Sequence, residues 1–144
     1  MTSRRRSETA ENSVRLVDTN VLAYLLIEGD RTPAAQALYA RDPDWRSEAF
    51  IMVEFSNILA TYVRTQAMTH KQGLELLAKA KALMPALTDL QHAQGLETAT
   101  EFRIAVYDAR FIAVARQMRV KLVTEDTKLR AAVPAWTVSL EDAA

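Results

Sequence analysis

The chain has 144 residues, of which 49% are hydrophobic and 25% are charged, and its 18 basic and 18 acidic residues give a formal net charge of zero. This length and composition predict one globular domain with a substantial core. The sequence has no cysteine, which excludes disulfide bonds and thiolate metal sites, and its longest apolar run covers only residues 21–27, which excludes a membrane span. We expect a cytoplasmic protein, and the zero net charge does not indicate a broadly basic nucleic-acid surface.

Residues 1–13 are almost entirely polar or charged and show no hydrophobic period. Such a composition predicts a flexible polar N-terminal arm, and the folded domain is then residues 14–144. The three arginines at positions 4–6 leave open a different role, a basic contact with RNA or with a partner protein. Because no apolar stretch follows these arginines, the segment does not match a secretory signal.

Hydrophobic spacing predicts strands that alternate with helices along the rest of the chain. Several helix starts carry capping or turn signals: Pro33 follows Thr32, and capping-box patterns begin at Thr69 and Thr88. The predicted strands cover residues 14–17, 83–87, 120–124 and 136–140. The predicted helices begin near residues 21, 32, 50, 69, 88, 108 and 126. This alternation predicts the α/β fold class, a three-layer α/β/α sandwich with a central parallel sheet.

Four acidic residues fall where a solvated surface position is not expected. Asp18 and Asp126 follow predicted strands, at the edge of a parallel sheet where ligand crevices form. Glu54 lies on the apolar stripe of its helix, and Asp108 lies at the inward edge of a predicted helix start. Carboxylates gathered around one point repel each other unless a cation neutralises them. Their oxygen atoms suit Mg²⁺ or Mn²⁺, and this set points toward phosphodiester chemistry.

Each of these acids also has a purely structural explanation. Asp18, Asp108 and Asp126 stand at predicted helix starts, where an aspartate N-cap contributes about 1 kcal/mol. Glu54 could instead form an ion pair with Arg64 or Arg110. The combination of all four acids at strand and helix ends favours the metal site.

The four acids lie in four short sequence blocks, which are residues 17–20 (VDTN), 54–59 (EFSNIL), 107–109 (YDA) and 124–129 (TEDTKL). Together, in this order and spacing, the blocks resemble the signature of PIN-domain ribonucleases, and most closely that of the VapC-type toxins of toxin–antitoxin pairs. The resemblance covers roughly residues 14–140. The sequence departs from the family pattern at residues 104–106 (IAV), where the family often has a short polar turn with Thr or Ser.

The resemblance implies a Rossmann-like PIN domain with Mg²⁺-dependent endoribonuclease activity on RNA. It also implies a homodimer and inhibition by a cognate antitoxin protein. By position, it makes Asp18 and Asp108 the core metal ligands, with Glu54 and Asp126 completing the acidic site directly or through water. The residues that it implies as hydrogen-bonding support are Thr19, Asn20 and Thr124.

The main alternative is a non-catalytic PIN-fold binding module that acts with a small DNA-binding partner protein. The intact set of four acids argues against it, since a degenerate site would be expected to lose ligands. A haloacid-dehalogenase-type phosphatase is disfavoured because Asn20 replaces the second aspartate of its Asp-x-Asp opening. A phosphotransfer receiver is disfavoured because its acidic pair is missing.

Overall fold

The computed structural model describes residues 13–143. Five parallel strands form one sheet in the order β3-β2-β1-β4-β5. The strands are β1 Val14–Val17, β2 Asp44–Glu48, β3 Leu87–Thr88, β4 Leu122–Val123 and β5 Thr137–Val138. The α-helices of this part of the chain are α1 Thr19–Leu26, α2 Thr32–Arg41, α3 Ile51–Arg64, α4 His70–Leu83, α5 His92–Phe102, α6 Val106–Met118, α7 Thr127–Ala132 and α8 Leu140–Ala143. The predicted α/β fold class with a central parallel sheet is confirmed.

The strand order reverses next to β1, the central strand of the sheet. From β1 the chain adds β2 and β3 on one side, and it then crosses to add β4 and β5 on the other side. The backbone N–H of Asp18 still donates to the carbonyl of Val123, at 3.2 Å, so the carboxyl ends of β1 and β4 are tied together. In open parallel sheets, the point of reversal is where a ligand crevice forms.

The core is built where the two central strands meet α3 and α6. Leu16 and Val17 on β1 are fully buried, as are both residues of β4. Ile51, Phe55 and Leu59 recur every four residues on α3, so one face of this helix is buried. Every residue from 109 to 115 on α6 is buried, which places that helix deep in the domain. Within residues 13–143, no helix is both long enough and apolar enough to cross a membrane.

One strand was not predicted from the sequence. β2 has the sequence DWRSE, and its three charged residues leave no apolar run that would predict a strand. Its side chains nevertheless alternate in burial, so that Trp45 and Ser47 are buried. Glu48, at its end, is also fully buried. β2 pairs with both β1 and β3, so it is an internal strand of the sheet.

Several predicted boundaries were wrong. The strand predicted at residues 83–87 is in fact Leu87–Thr88, since Leu83 is the last residue of α4. Thr88 does not cap a helix, because it pairs with β2 in the sheet. α5 therefore begins at His92 and not near 88, while α6 begins at Val106, two residues before the predicted start. Thr32 is the first residue of α2, and its hydroxyl accepts from the N–H of Gly29 at 3.0 Å instead of capping the helix. Apart from Ser13, the predicted N-terminal arm lies outside the described residues.

The burial pattern of α3 predicts a large difference between two truncations on the same helix. Ile51 is fully buried, whereas Val53 is 59% exposed. Ile51→Ala should lower the free energy of unfolding by about 2–5 kcal/mol, because it removes packed atoms and leaves a cavity. Val53→Ala should change it by less than about 0.5 kcal/mol. Urea denaturation followed by circular dichroism measures both, and similar midpoints for the two variants would contradict this assignment of the core face.

Candidate active site

A cavity of about 460 Å³ opens at the carboxyl edge of the sheet, and all four acids singled out from the sequence line it. Its acidic lining is Asp18, Glu54, Asp108 and Asp126. Thr19 and Asn20, two of the three predicted supporting residues, are also in the wall. The remaining lining residues are Phe50, Val53, Asn57, Ile58, Tyr107 and Phe111.

Asp18 is the most buried of the four, with 9% of its surface exposed at the junction of β1 and α1. Its Oδ1 accepts from the N–H of Val21 at 3.1 Å, so it caps α1, and its side chain also hydrogen-bonds to Thr124. Burial raises the pKa of Asp18 to about 6, and the negative charges of Glu54 and Asp108 add to the increase. The two hydrogen bonds offset only part of it. The predicted helix cap is therefore confirmed for Asp18, which also lines the cavity.

Glu54 is half-buried on the first turn of α3. The hydroxyl of Thr19 donates to its Oε1 at 2.6 Å, which fixes the direction of the carboxylate. Burial raises the pKa of Glu54, and Asp108 and Glu48 raise it further, while the Thr19 hydrogen bond lowers it. The ion pairs considered for Glu54 were wrong: Arg64 donates to the hydroxyl of Thr61 at 3.4 Å, and Arg110 binds Glu48 instead.

Asp108 and Asp126 face the cavity from the other side. Asp108 is half-buried in the first turn of α6, and burial followed by the charge of Asp126 raises its pKa. It is not an N-cap, because Ala105 holds that position. Asp126 is exposed and caps α7, since the N–H of Leu129 donates to its Oδ1 at 3.1 Å. The N–H of Asp126 donates to the hydroxyl of Thr124, at 3.1 Å, so Thr124 contacts both Asp18 and Asp126.

Each acid stands at the start of a different helix, α1, α3, α6 or α7. The N-terminal end of a helix carries a partial positive charge, which favours a nearby carboxylate by about 0.3–1 kcal/mol. The four helix starts thus offset part of the repulsion among the acids. The raised pKa values of Asp18, Glu54 and Asp108 show that repulsion and desolvation still dominate.

The donor set suits a hard divalent cation that keeps part of its water shell. Within residues 13–143, no three Asp, Glu, His or Cys side chains stand close enough together to hold one ion directly. Mg²⁺ commonly binds through one or two carboxylates and retains several waters, and a cavity lined by acids fits that mode of binding. Burial, and after it the charge of neighbouring acids, raises the pKa of three of these carboxyls, and a bound cation would favour their charged forms.

A buried ion pair behind the cavity was missed by the sequence analysis. Arg110 donates from Nε to Oε1 of Glu48 at 2.9 Å and from Nη2 to Oε2 at 3.0 Å. Glu48 also accepts from the N–H of Phe50 and of Leu90, both at 2.9 Å. Burial raises the pKa of Glu48, but these hydrogen bonds outweigh it and bring the pKa below the usual value. The only signal in the sequence is the isolated arginine, two residues after Asp108, in an otherwise apolar helix segment.

The chain matches the sequence model of the PIN domain over residues 15–133, and it therefore belongs to the PIN domain family. PAE2754 from Pyrobaculum aerophilum has the same fold, with 22% identity, a TM-score of 0.74, and coverage of 92% of this chain and 93% of that one. A toxin–antitoxin complex from Klebsiella pneumoniae is 23% identical, with a TM-score of 0.64 over 88% of this chain and 97% of that one. The Mycobacterium tuberculosis toxin VapC20, described as cleaving the sarcin–ricin loop, is 19% identical, with a TM-score of 0.64 over 83% and 95%. A comparison with curated protein sequences found no significant match.

The buried Glu48–Arg110 pair predicts a large loss of stability when the arginine is replaced by an uncharged residue. Arg110→Met leaves the carboxylate of Glu48 buried without a positive partner, and it should lower the free energy of unfolding by about 3–5 kcal/mol. Arg116→Met is the matched control on the same helix, because Arg116 bonds Glu101 at the surface, at 2.9 Å. Loss of that exposed pair should cost at most about 1 kcal/mol. Chemical denaturation compares the two variants, and equal losses would contradict the structural role of the Glu48–Arg110 pair.

The raised pKa of Asp18 predicts how stability depends on pH when no metal is bound. A carboxyl whose folded pKa of about 6 exceeds its unfolded value of 3.8 destabilises the fold as pH rises through that window, and the penalty stays constant above it. In EDTA at neutral pH, Asp18→Asn should therefore be more stable than the unaltered protein by about 1–3 kcal/mol, since asparagine keeps the helix cap.

The difference between the two proteins should shrink as the pH falls from about 7 toward about 4, because Asp18 then takes up its proton. Asp126→Asn, at an exposed helix cap, is the control and should change stability by less than Asp18→Asn at neutral pH. Thermal unfolding at a series of pH values measures all three proteins. An Asp18→Asn protein that is less stable than the unaltered one at neutral pH would show that burial does not penalise this charge.

Proposed function

We propose that this protein is a metal-dependent endoribonuclease and the toxin component of a type II toxin–antitoxin system. The observation that carries the proposal is the convergence of four carboxylates from distant parts of the chain on one cavity of a PIN domain. Two similar structures support it: one is a toxin–antitoxin complex, and the other is a toxin that cleaves the sarcin–ricin loop. An RNA substrate and a cognate antitoxin partner belong to this proposal.

Asp18 and Asp108 are the proposed metal ligands. Of the two roles that the resemblance implies for Glu54 and Asp126, the one through water fits this conformation, in which no three described acids can hold one ion directly. When bound, Mg²⁺ or Mn²⁺ supplies polarisation of the phosphate and a lower pKa for the attacking water. Thr19 orients Glu54 by its hydrogen bond, and Thr124 positions Asp18 and supports the cap at Asp126. Asn20 lines the cavity and is exposed, so its amide is available to the substrate. The proposed homodimer follows from the family resemblance.

Replacement of one proposed ligand should separate catalysis from folding. Asp108→Asn keeps the size of the side chain but removes its charge, so RNA cleavage in Mg²⁺ should fall by at least about 100-fold. The matched control is Asp30→Asn, at an exposed turn outside the cavity. The measurement is cleavage of total RNA with and without Mg²⁺, together with calorimetric titration of Mg²⁺.

Unchanged cleavage by a folded Asp108→Asn protein would overturn the assignment of Asp108. If the unaltered protein is folded, does not bind Mg²⁺ at millimolar concentration and does not cut RNA, it is not a nuclease. The binding-module alternative would then replace the proposal.

A further inference from the structure

Two aromatic rings border the acidic cavity and stack on each other. The ring centroids of Phe50 and Tyr107 are 5.5 Å apart, and the ring planes are inclined by only 26°. Both residues line the cavity, and Tyr107 is 59% exposed. Tyr107 directly precedes Asp108, and Phe50 lies four residues before Glu54. The exposed ring is therefore adjacent to the proposed catalytic carboxylates.

The backbone that carries these two rings is anchored by the buried ion pair, and the rings restrain each other by stacking. The N–H of Phe50 donates to Glu48, which Arg110 holds with two further hydrogen bonds. Arg110 lies on α6, the same helix that carries Tyr107 near its start. A ring whose place is already set loses little conformational freedom when it binds a ligand.

Among the described residues, the cavity is lined by acidic side chains and by no basic ones, so its wall offers no ion pairs to a nucleic acid. None of its described lining residues is lysine or arginine, whereas four are acidic. The basic residues clustered in the segment 116–130 do not line it, and Arg116 is already paired with Glu101. Ion pairs from the cavity wall are therefore not a source of affinity, and within the cavity itself a strand can gain affinity from a bound cation and from contacts such as stacking.

We propose that Tyr107, supported by Phe50, is a stacking platform for one unpaired base next to the phosphate that is cut. This inference rests on the proposed nuclease function and assigns Tyr107 as the side chain that positions an unpaired base of the substrate. Only a base that is not paired in a duplex can place its face on an aromatic side chain. A protein partner is the alternative occupant of these rings, and it is one of the outcomes that the test below distinguishes.

The test uses a short RNA that carries 2-aminopurine, a base whose fluorescence falls when it stacks on an aromatic ring. Binding is measured in Mg²⁺ with the Asp108→Asn protein, so that the strand stays intact. Tyr107→Ala in this background should weaken binding about 5- to 100-fold and abolish the quenching, whereas Tyr107→Phe should keep both. Leu96→Ala is the control: it truncates a side chain that is 61% exposed outside the cavity, and it should bind as before.

Two further measurements distinguish stacking from a structural role. In the otherwise unaltered protein, Tyr107→Ala should raise the KM for a single-stranded RNA with little change in kcat, and Tyr107→Phe should restore the KM. A fully paired duplex of the same sequence should bind poorly to every variant. Because Tyr107 carries no charge, Tyr107→Ala should leave the salt dependence of single-strand binding unchanged.

The possible outcomes separate the stacking-platform proposal from the nuclease proposal. If the protein cuts RNA and Tyr107→Ala leaves KM, binding and quenching unchanged, the platform is refuted, the nuclease proposal stands, and the exposed rings are assigned to a protein partner. If quenching is lost in Tyr107→Ala but the unaltered protein never cuts RNA, the platform stands and the nuclease proposal fails. If the protein neither binds nor cuts single strands, both are refuted.

Discussion

The buried pair of Glu48 and Arg110 is the interaction on which the geometry of the cavity depends. Glu48 ends β2, and its four hydrogen bonds join the start of α3, the loop before α5 and the helix α6. Helix α3 carries Glu54, and α6 carries Asp108 and Tyr107, all of which line the cavity. One ion pair therefore ties together the two helices that carry these residues. Burial of two charges is costly, and this pair is tolerated because the arginine is bidentate and the backbone satisfies the remaining oxygen lone pairs.

The carboxylates in front of this pair have the opposite electrostatic character. The pKa of Glu48 lies below its usual value, while burial and mutual repulsion raise the pKa of Asp18, Glu54 and Asp108. A site built only for stability would not gather acids that it cannot neutralise. Local conflict of this kind is typical of functional sites, where a fold gives up stability for the ability to bind a ligand. Glu48 of the satisfied pair and Glu54 of the acidic cluster are separated in the chain only by the short connection between β2 and α3 and the first residues of that helix.

Local signals in the sequence were sufficient for the parts of the site that local structure determines. The apolar run of β1 followed by Asp18, and the periodicity of α3 with Glu54 on its stripe, placed both acids correctly. Prediction failed where a distant contact decides the outcome. β2 consists largely of charged letters, and Thr88 has a capping-box pattern but pairs with Glu48 in the sheet. The partner of Arg110 is 62 residues away, and neither residue carries a local signal of that contact.

The convergence of four helix starts on the cavity has a consequence for inactive variants of this protein. A change from carboxylate to amide removes negative charge but leaves the backbone dipoles of the helices, whose N-terminal ends attract phosphate oxygens. Under the proposed nuclease function, such a variant would lose cleavage and, with it, much of the repulsion between the site and a phosphate backbone. An amide version of the site would therefore be the one to use for recovering an intact target from a cell for sequencing.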